Sequence, residues 1–345
     1  SMASAAGGYT AVCTMPNLNP VPDSVEHLAK QRKMIEEQAV IHVYPYGAIT
    51  VAEKGEALAD LEGMAPHVIG FSDDGRGVQS DDVMRQAMLR AKALGKMIVA
   101  HCEDNSLLYG GYIHDGAYAR EHGHKGICSE SEWKPIARDI ELVKETGCSY
   151  HVCHISTKES VDIIRKAKAE GVDITCETGP HYLVLDENDL EESGSFKMNP
   201  PLRSEEDRLA LIEGIKDGTI DMIATDHAPH SIEEKSRGLK DSAMGIVGLE
   251  TAFAALNTHL VKKGVITLEH LIRIMSDNPR KVFRIEGGIE VGDRADIVLL
   301  DTEKVWRVDS EKFYSMGKIS MFDGRDMVGD IAMTIHRGEV VYKAE

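Results

Sequence analysis

The stretch Ile220-Asp221-Met222-Ile223-Ala224-Thr225-Asp226-His227-Ala228-Pro229-His230 is a short apolar run that stops at one carboxylate and two imidazoles. Six further runs of the same kind lie upstream, near Tyr9–Met15, Ile41–Ile49, Val68–Phe71, Met97–His101, Tyr150–His154 and Asp173–Cys176. Strands that are apolar almost throughout are buried on both faces, as in a parallel sheet. Between them, Ser80–Leu94, Lys158–Glu170 and Glu205–Lys216 carry apolar residues at helical spacing. The alternation predicts an α/β fold, a TIM-type (β/α)8 barrel with helices around a parallel sheet. The strands number seven, whereas a closed barrel takes eight. A chain that opens on a strand and yields seven units is expected to lack the first βα unit.

After Gly287 the texture changes. The segments ADIVLLD, VWRVD and IAMTIHRGEVVYK are β-rich, and Arg337-Gly338 has the form of a hairpin turn. Residues 1–286 are therefore expected to form the barrel domain, incomplete at its N-terminus. Residues 287–345 would form a C-terminal β segment of a small β-sandwich, short for an independent domain and in need of partner strands.

The bulk composition excludes some functions. The 345 residues are 42% hydrophobic, enough for a sizeable core, and the formal charge of -18 argues against a nucleic-acid or anionic-membrane surface. No apolar run is long enough to span a bilayer, and the start has no signal-peptide pattern. The cysteines, Cys13, Cys102, Cys128, Cys148, Cys153 and Cys176, form no CxxC pair and read as reduced core thiols, so a cytoplasmic location is expected.

Catalytic groups of a parallel barrel sit where its strands end. Here the ends carry Asn17, Asp73 and Asp74 (in FSDDG), His101 (in VAHCED), His154 (in HVCHIS), the sequence CETGPH, and Asp226. Imidazoles and carboxylates together suit Zn²⁺ or a similar divalent ion. A lone histidine after a strand is more often a hydrogen-bonded structural residue; the repetition at one barrel face is what points to a site. Side-chain alternation sends Asp73 and Asp74 to opposite sides, so at most one faces the centre, while the other caps the loop and Gly75 and Gly77 supply the turn. His122-Gly123-His124 has the form of a metal pair but sits in a polar loop and reads as solvated surface. His151 is expected on the face opposite His154, in a structural role. His227 also reads as structural, and His181 stays unassigned.

The motifs MPNLNPVPDS, FSDDGRGVQS, AHCED, CHISTKES, FKMNPPLRSEEDR and IDMIATDHAPH, in this order, resemble those of the bacterial class I dihydroorotases of the amidohydrolase superfamily. The resemblance runs from about Gly7 to the C-terminus. It implies reversible, zinc-dependent hydrolysis of dihydroorotate to N-carbamoyl-L-aspartate in pyrimidine synthesis, with two Zn²⁺ per active site in the complete enzyme. It implies that Asp74 joins the two ions, that His101 and His154 ligate the second, and that Asp226 belongs with the metal residues at the first and shuttles a proton. Asn17, Asn199 and His230 match the family's substrate-binding positions, and residues 242–250 match a loop that closes over the ring. A homodimer and an association with aspartate transcarbamoylase are the macromolecular arrangements left open.

Two other readings stay open. In one, the substrate is a hydantoin or allantoin; Asn17 and His230 argue against it, because those rings lack the same carboxylate. In the other, the chain is a non-catalytic scaffold for aspartate transcarbamoylase; Asp74, His101, His154 and Asp226 argue against that. The family's first strand ends in an HxHxR motif that supplies two zinc ligands and a substrate arginine, and no such motif precedes Gly7. The sequence therefore predicts that this chain, taken alone, holds metal weakly and opens dihydroorotate slowly or not at all. Elemental analysis and ureido-acid formation check this, and two tightly bound zinc ions with normal turnover would contradict it.

Overall fold

A computed structural model describes residues 1–344. In chain order its strands are β1 (Ala11–Thr14), β2 (His42–Pro45), β3 (Gly47–Ala48), β4 (Phe71–Ser72), β5 (Ile98–Ala100), β6 (Ile113–His114), β7 (Gly126–Ile127), β8 (Tyr150–Val152), β9 (Ile174–Thr178), β10 (Met222–Ile223), β11 (Ile297–Arg307), β12 (Asp326–His336) and β13 (Glu339–Lys343). One sheet runs β10-β9-β8-β5-β4-β3, and β1 pairs with β2 beside it, all parallel. Only Tyr46 separates β2 from β3, so the two act as one strand that joins both sheets. The seven parallel runs expected from the sequence are therefore present. β10 and β1 are the outer members of this array, and among the described residues no strand joins them. An isolated parallel bridge between His227 and Ile246 continues the pairing beyond β10.

Helices cover the outside of the sheet. Helix Asp81–Ala93 packs against Glu130–Thr146, which packs against Lys158–Ala169, which packs against Glu205–Asp217. Each of three helix starts follows from a polar residue at the cap position. Ser80 accepts from the Val83 N–H, Thr157 from Ser160, and Ser204 from Asp207 in a reciprocal capping box. The faces turned inward bury Met84, Ala87, Met88 and Ala91 on the first helix, and Val161 and Ile164 on the third. Opposite them lie Phe71, Ile98, Tyr150 and Cys176 from the strands, all at most 1% exposed.

One buried carboxylate ties this outer layer to a strand end. Glu132, in the first turn of helix Glu130–Thr146, accepts from the Ser156 N–H at 2.9 Å, the Thr157 N–H at 3.0 Å, the Thr157 hydroxyl at 3.1 Å and the Ser160 hydroxyl at 2.7 Å. It also accepts from the Ser156 hydroxyl. Arg203 stands 3.8 Å away and donates to Ser156 Oγ at 3.0 Å and to the Ile127 carbonyl at 2.8 Å. The loop that leaves β8 is thereby held from outside the sheet.

The C-terminal strands β11, β12 and β13 pair antiparallel with one another, in that order. The β12–β13 hairpin turns on Arg337 (φ 52°) and Gly338 (φ 83°), the two positive-φ positions of a tight hairpin loop. This small sheet is anchored to the rest of the chain by polar contacts. Thr334 Oγ1 donates to the Ala5 carbonyl at 2.7 Å, Asn257 Nδ2 to the Val328 carbonyl at 2.8 Å, and Glu250 accepts from the Tyr314 and Ser315 N–H groups at 2.8 and 2.9 Å. Among the described residues no helix is long and apolar enough to cross a membrane.

Glu132→Ala would strand five donors and the buried charge of Arg203. It is expected to lower the unfolding free energy by about 3–5 kcal/mol, read from urea denaturation, with Glu132→Gln losing less.

Candidate active site at the strand ends

The register of the parallel sheet sets the geometry of the site. Phe71 is paired with Ile98, Ile98 with Tyr150, and Tyr150 with Ile174. Counting three residues on from that row gives Asp74, His101, Cys153 and Glu177, all at the C-terminal edge of the sheet. His154 lies one position further, and its φ of 33° bends the chain there. The bend brings its ring back to the row. His101 Nδ1 lies 3.0 Å from His154 Nε2, and Asp74 Oδ1 is 3.3 Å from His154 Nε2 and 3.8 Å from His101 Nδ1. All three residues are buried. A residue other than glycine at positive φ is held there by its surroundings at an energetic cost, and such positions gather at working sites. Asp226 is a second one, with φ 49°.

Asp73 goes elsewhere. Its carboxylate accepts from the Ile49 N–H at 2.8 Å, the Thr50 N–H at 3.1 Å and the Thr50 hydroxyl, stapling the end of β3. The next loop turns on Gly75 and Gly77 at positive φ; a Cβ on Gly77 would stand 2.9 Å from the His101 carbonyl oxygen, so the close approach needs glycine.

The donor set suits a divalent ion. One ligand atom from each of Asp74, His101 and His154 lies within 4.8 Å of the others. Their separations of 3.0, 3.3 and 3.8 Å bracket the roughly 3.3 Å edge of a tetrahedron with metal–ligand bonds of about 2.0–2.1 Å. With Nδ1 of His101 turned into the set, its Nε2 faces Glu103 Oε2 at 3.7 Å. Among the described residues Nδ1 of His154 and Nε2 of His101 have no well-aligned hydrogen-bond partner.

Charge is finely opposed here. Burial pushes the Asp74 carboxyl up, but the hydrogen bond from His154 and the charges of His101 and His154 outweigh it and hold Asp74 below its ordinary range. Burial pushes His154 down, but Asp74 and the Asp226 charge overcome it and raise the ring to about 10. Asp226 lies outside the three-donor set but within its field: burial, helped by the Asp74 charge, pushes its carboxyl up to about 6, against the pull of His154.

The remaining residues singled out from the sequence fall as follows. Asn17 Nδ2 donates to Asp74 Oδ2 at 3.2 Å, and Asn199 Nδ2 to Glu103 Oε1 at 2.8 Å, so both amides reach the edge of the donor set. His230 does not: its Nε2 is 2.8 Å from the Met244 carbonyl. The segment 242–250 is laced to the Asp226–His230 stretch, with the Ala228 N–H on the Ile246 carbonyl at 2.8 Å and the Gly248 N–H on His227 Nδ1 at 3.1 Å. His227 thus braces that loop. His151 binds Thr175 Oγ1 at 2.7 Å and faces Glu177 at 3.2 Å. His124 pairs with Glu192 at 2.7 Å and with the Tyr112 hydroxyl at 2.8 Å, while His122 lies exposed over Tyr118. His181 is buried against Tyr182, and burial pushes its pKa down to about 3. Glu103 and Glu177 are carboxylates at the site that the sequence did not single out. Glu103 lies two residues after His101, and Glu177 sits inside an apolar strand, where only the row count reveals it.

A divalent-ion donor set with a raised carboxylate beside it, at the C-terminal edge of a parallel α/β sheet, defines the class of a metal-dependent hydrolase built on a barrel-type sheet. Similarity narrows the class. A family model described as dihydro-orotase-like matches residues 1–160. A protein named dihydroorotase from Fusobacterium nucleatum is 52% identical over 344 residues, covering 99% of this chain and 81% of that protein. One of the same name from Bacillus cereus is 48% identical over 348 residues, covering 100% of this chain and 81% of its own. The chain belongs to the dihydroorotase family. Among solved structures, an L-hydantoinase (dihydropyrimidinase) from Arthrobacter aurescens superposes with a TM-score of 0.87 at 30% identity, over 99% of this chain and 79% of that one. A dihydropyrimidinase from Brevibacillus agri, at 24% identity with a TM-score of 0.84 over 99% of this chain and 78% of its own, shares the fold.

A ligating imidazole must give up its proton. With its pKa raised to about 10, His154 keeps that proton at neutral pH in the metal-free chain. Binding of a divalent ion at neutral pH is therefore expected to release a proton, and affinity to climb about tenfold per pH unit between roughly 7 and 9. Calorimetry in buffers of different ionisation enthalpy measures the release, which His154→Asn should abolish.

Proposed function

We propose that the chain is a dihydroorotase, opening the cyclic amide of dihydroorotate to N-carbamoyl-L-aspartate and closing it again, at a reduced rate in this chain taken alone because the family's HxHxR ligands are not among its residues. The observation that carries this reading is the meeting of Asp74, His101 and His154 within metal-binding distance, with Asp226 beside them, in a chain about half identical to proteins named dihydroorotase. Asp74, His101 and His154 would hold a zinc ion. When bound, the ion supplies Lewis acidity, acidifying a water and polarising the amide carbonyl.

The chain's own residues manage the protons. Asp226 accepts the proton of the attacking water and delivers it to the ring nitrogen as the carbon–nitrogen bond breaks. A carboxyl with a pKa of about 6 can be base in one half of that exchange and acid in the other near neutral pH. Asn17 and Asn199, each turned by a carboxylate that takes its N–H, present their amide oxygens to ring N–H groups. His230 would bind the substrate carboxylate by exchanging the Met244 carbonyl for it, which couples substrate binding to movement of segment 242–250.

We take residues 1–286 as the catalytic body and 287–345 as the appended β unit. An eighth parallel strand between β10 and β1 is the element that would close the barrel. A cytoplasmic location is supported by six free cysteines, four of them buried.

Relative rates on dihydroorotate, hydantoin and allantoin with zinc present test the substrate. Dihydroorotate is expected to be opened fastest, and a faster hydantoin reaction would overturn the reading. Asp226→Asn should lower both directions by about 10²–10⁴-fold while leaving zinc content unchanged. Hydrolysis needs the Asp226 carboxylate free of its proton, so its rate falls as pH drops through about 6. Ring closure needs that proton and is favoured on the acid side; opposite pH profiles for the two directions check the assignment.

A further inference from the structure

Among the described residues a second set of donors, sharing no residue with the strand-end set, converges: His42, Asp296 and His336. His42 opens β2, Asp296 immediately precedes β11, and His336 ends β12. Three segments distant in sequence therefore meet where the parallel body touches the C-terminal sheet. His42 Nε2 lies 3.3 Å from Asp296 Oδ2, and His336 Nδ1 lies 3.2 Å from Asp296 Oδ1. The two imidazoles cross edge to face with centroids 4.2 Å apart. One ligand atom from each residue lies within 4.8 Å of the other two.

Two features separate this group from an ordinary polar contact. The first is that, among the described residues, His42 Nε2 and His336 Nδ1 are shut off from solvent and have only the Asp296 oxygens, at 3.3 and 3.2 Å, to face, without a well-aligned hydrogen bond. A buried polar atom left in that state is destabilising, and here two of them face one carboxylate. The second is the spacing. Charge-assisted hydrogen bonds close to about 2.7–2.9 Å, whereas the edge of a tetrahedral site with ligands at about 2.0–2.1 Å is roughly 3.3 Å. Both separations, 3.3 Å from His42 to Oδ2 and 3.2 Å from His336 to Oδ1, are longer than such hydrogen bonds and close to that edge, each to a different oxygen of the carboxylate.

The carboxylate is already held in place. Asp296 Oδ2 accepts from Arg294 Nε at 2.5 Å, and Oδ1 from the Arg337 backbone N–H at 2.9 Å. Each oxygen retains a second lone pair, and outer partners of this kind orient ligating carboxylates. The Arg294 guanidinium opposes a cation by its charge, but it is 29% exposed while Asp296 is 1% exposed, so solvent screens the opposing charge more than the ligand.

We propose that His42, Asp296 and His336 form a second metal site, separate from the strand-end site, that binds a zinc-class divalent ion and clips β2 to the C-terminal sheet. Two imidazoles with one carboxylate favour zinc over magnesium or calcium, which prefer oxygen ligands throughout. The ion satisfies both orphan nitrogens at once and joins residue 42 to residues 296 and 336 without any covalent link.

Zinc content after dialysis, compared between the His154→Asn chain and the His154→Asn/His336→Gln chain, tests the proposal with the strand-end site weakened in both. The double variant is expected to hold one ion fewer per chain, and equal content would overturn the proposal. Should the double variant fail to fold, anomalous diffraction at the zinc edge from zinc-loaded crystals of the unaltered chain gives the answer directly. A peak between His42, Asp296 and His336 is the expected result, and its absence with zinc present overturns the proposal.

Discussion

The pairing of Phe71 with Ile98 and of Ile98 with Tyr150 is the constraint on which the rest of the site depends. Parallel neighbours keep a fixed offset, so residues three steps beyond one row form the next usable row. That row contains Asp74 and His101. A slip of one residue in either pairing would turn one of them to the opposite face of the sheet. His154 falls one place out of the row and is brought back by a left-handed bend that its own side chain does not favour. Neighbours must enforce such a bend, and Glu132 does so by taking the Ser156 and Thr157 N–H groups just beyond it.

Four carboxylates near the strand ends divide into two kinds by their partners. Asp73 and Glu132 are surrounded by backbone N–H and hydroxyl donors and act as staples. Asp74 and Asp226 face imidazoles and each other instead, and their protonation is set by that contest. Burial raises both; Asp74 wins its charge back through direct contact with His154, while Asp226, without a hydrogen bond of that kind, stays raised. Two aspartates close to the same imidazoles thus end on opposite sides of the ordinary carboxylate range. That separation suits one to holding a cation and the other to exchanging a proton.

The fold was largely legible from period and composition. Apolar runs bounded by helical patterns located all seven parallel runs, because strands buried on both faces leave no other pattern. The hairpin at Arg337-Gly338 was legible because few residue pairs accept positive φ at two successive positions. Partnering was less so: the sequence did not indicate that β11, β12 and β13 pair with one another. A period of two marks a strand but carries no information about which strand lies beside it.

Within the site, the sequence by itself determined which chemistry is present: carboxylates and imidazoles placed after apolar strands, in motifs that resemble one family. It also narrowed Asp73 and Asp74 to one inward residue. Tertiary structure alone decided which partner each residue meets. Glu103 and Glu177 became visible only once the register was known, and His230 proved to be engaged by Met244. His42, Asp296 and His336, separated by more than 250 residues at their widest, carry no local pattern at all. The physical reason is the same in each case. Side-chain type and strand period are local properties of the chain, whereas distances between strand ends follow from hydrogen-bond register and packing, which only the folded molecule sets.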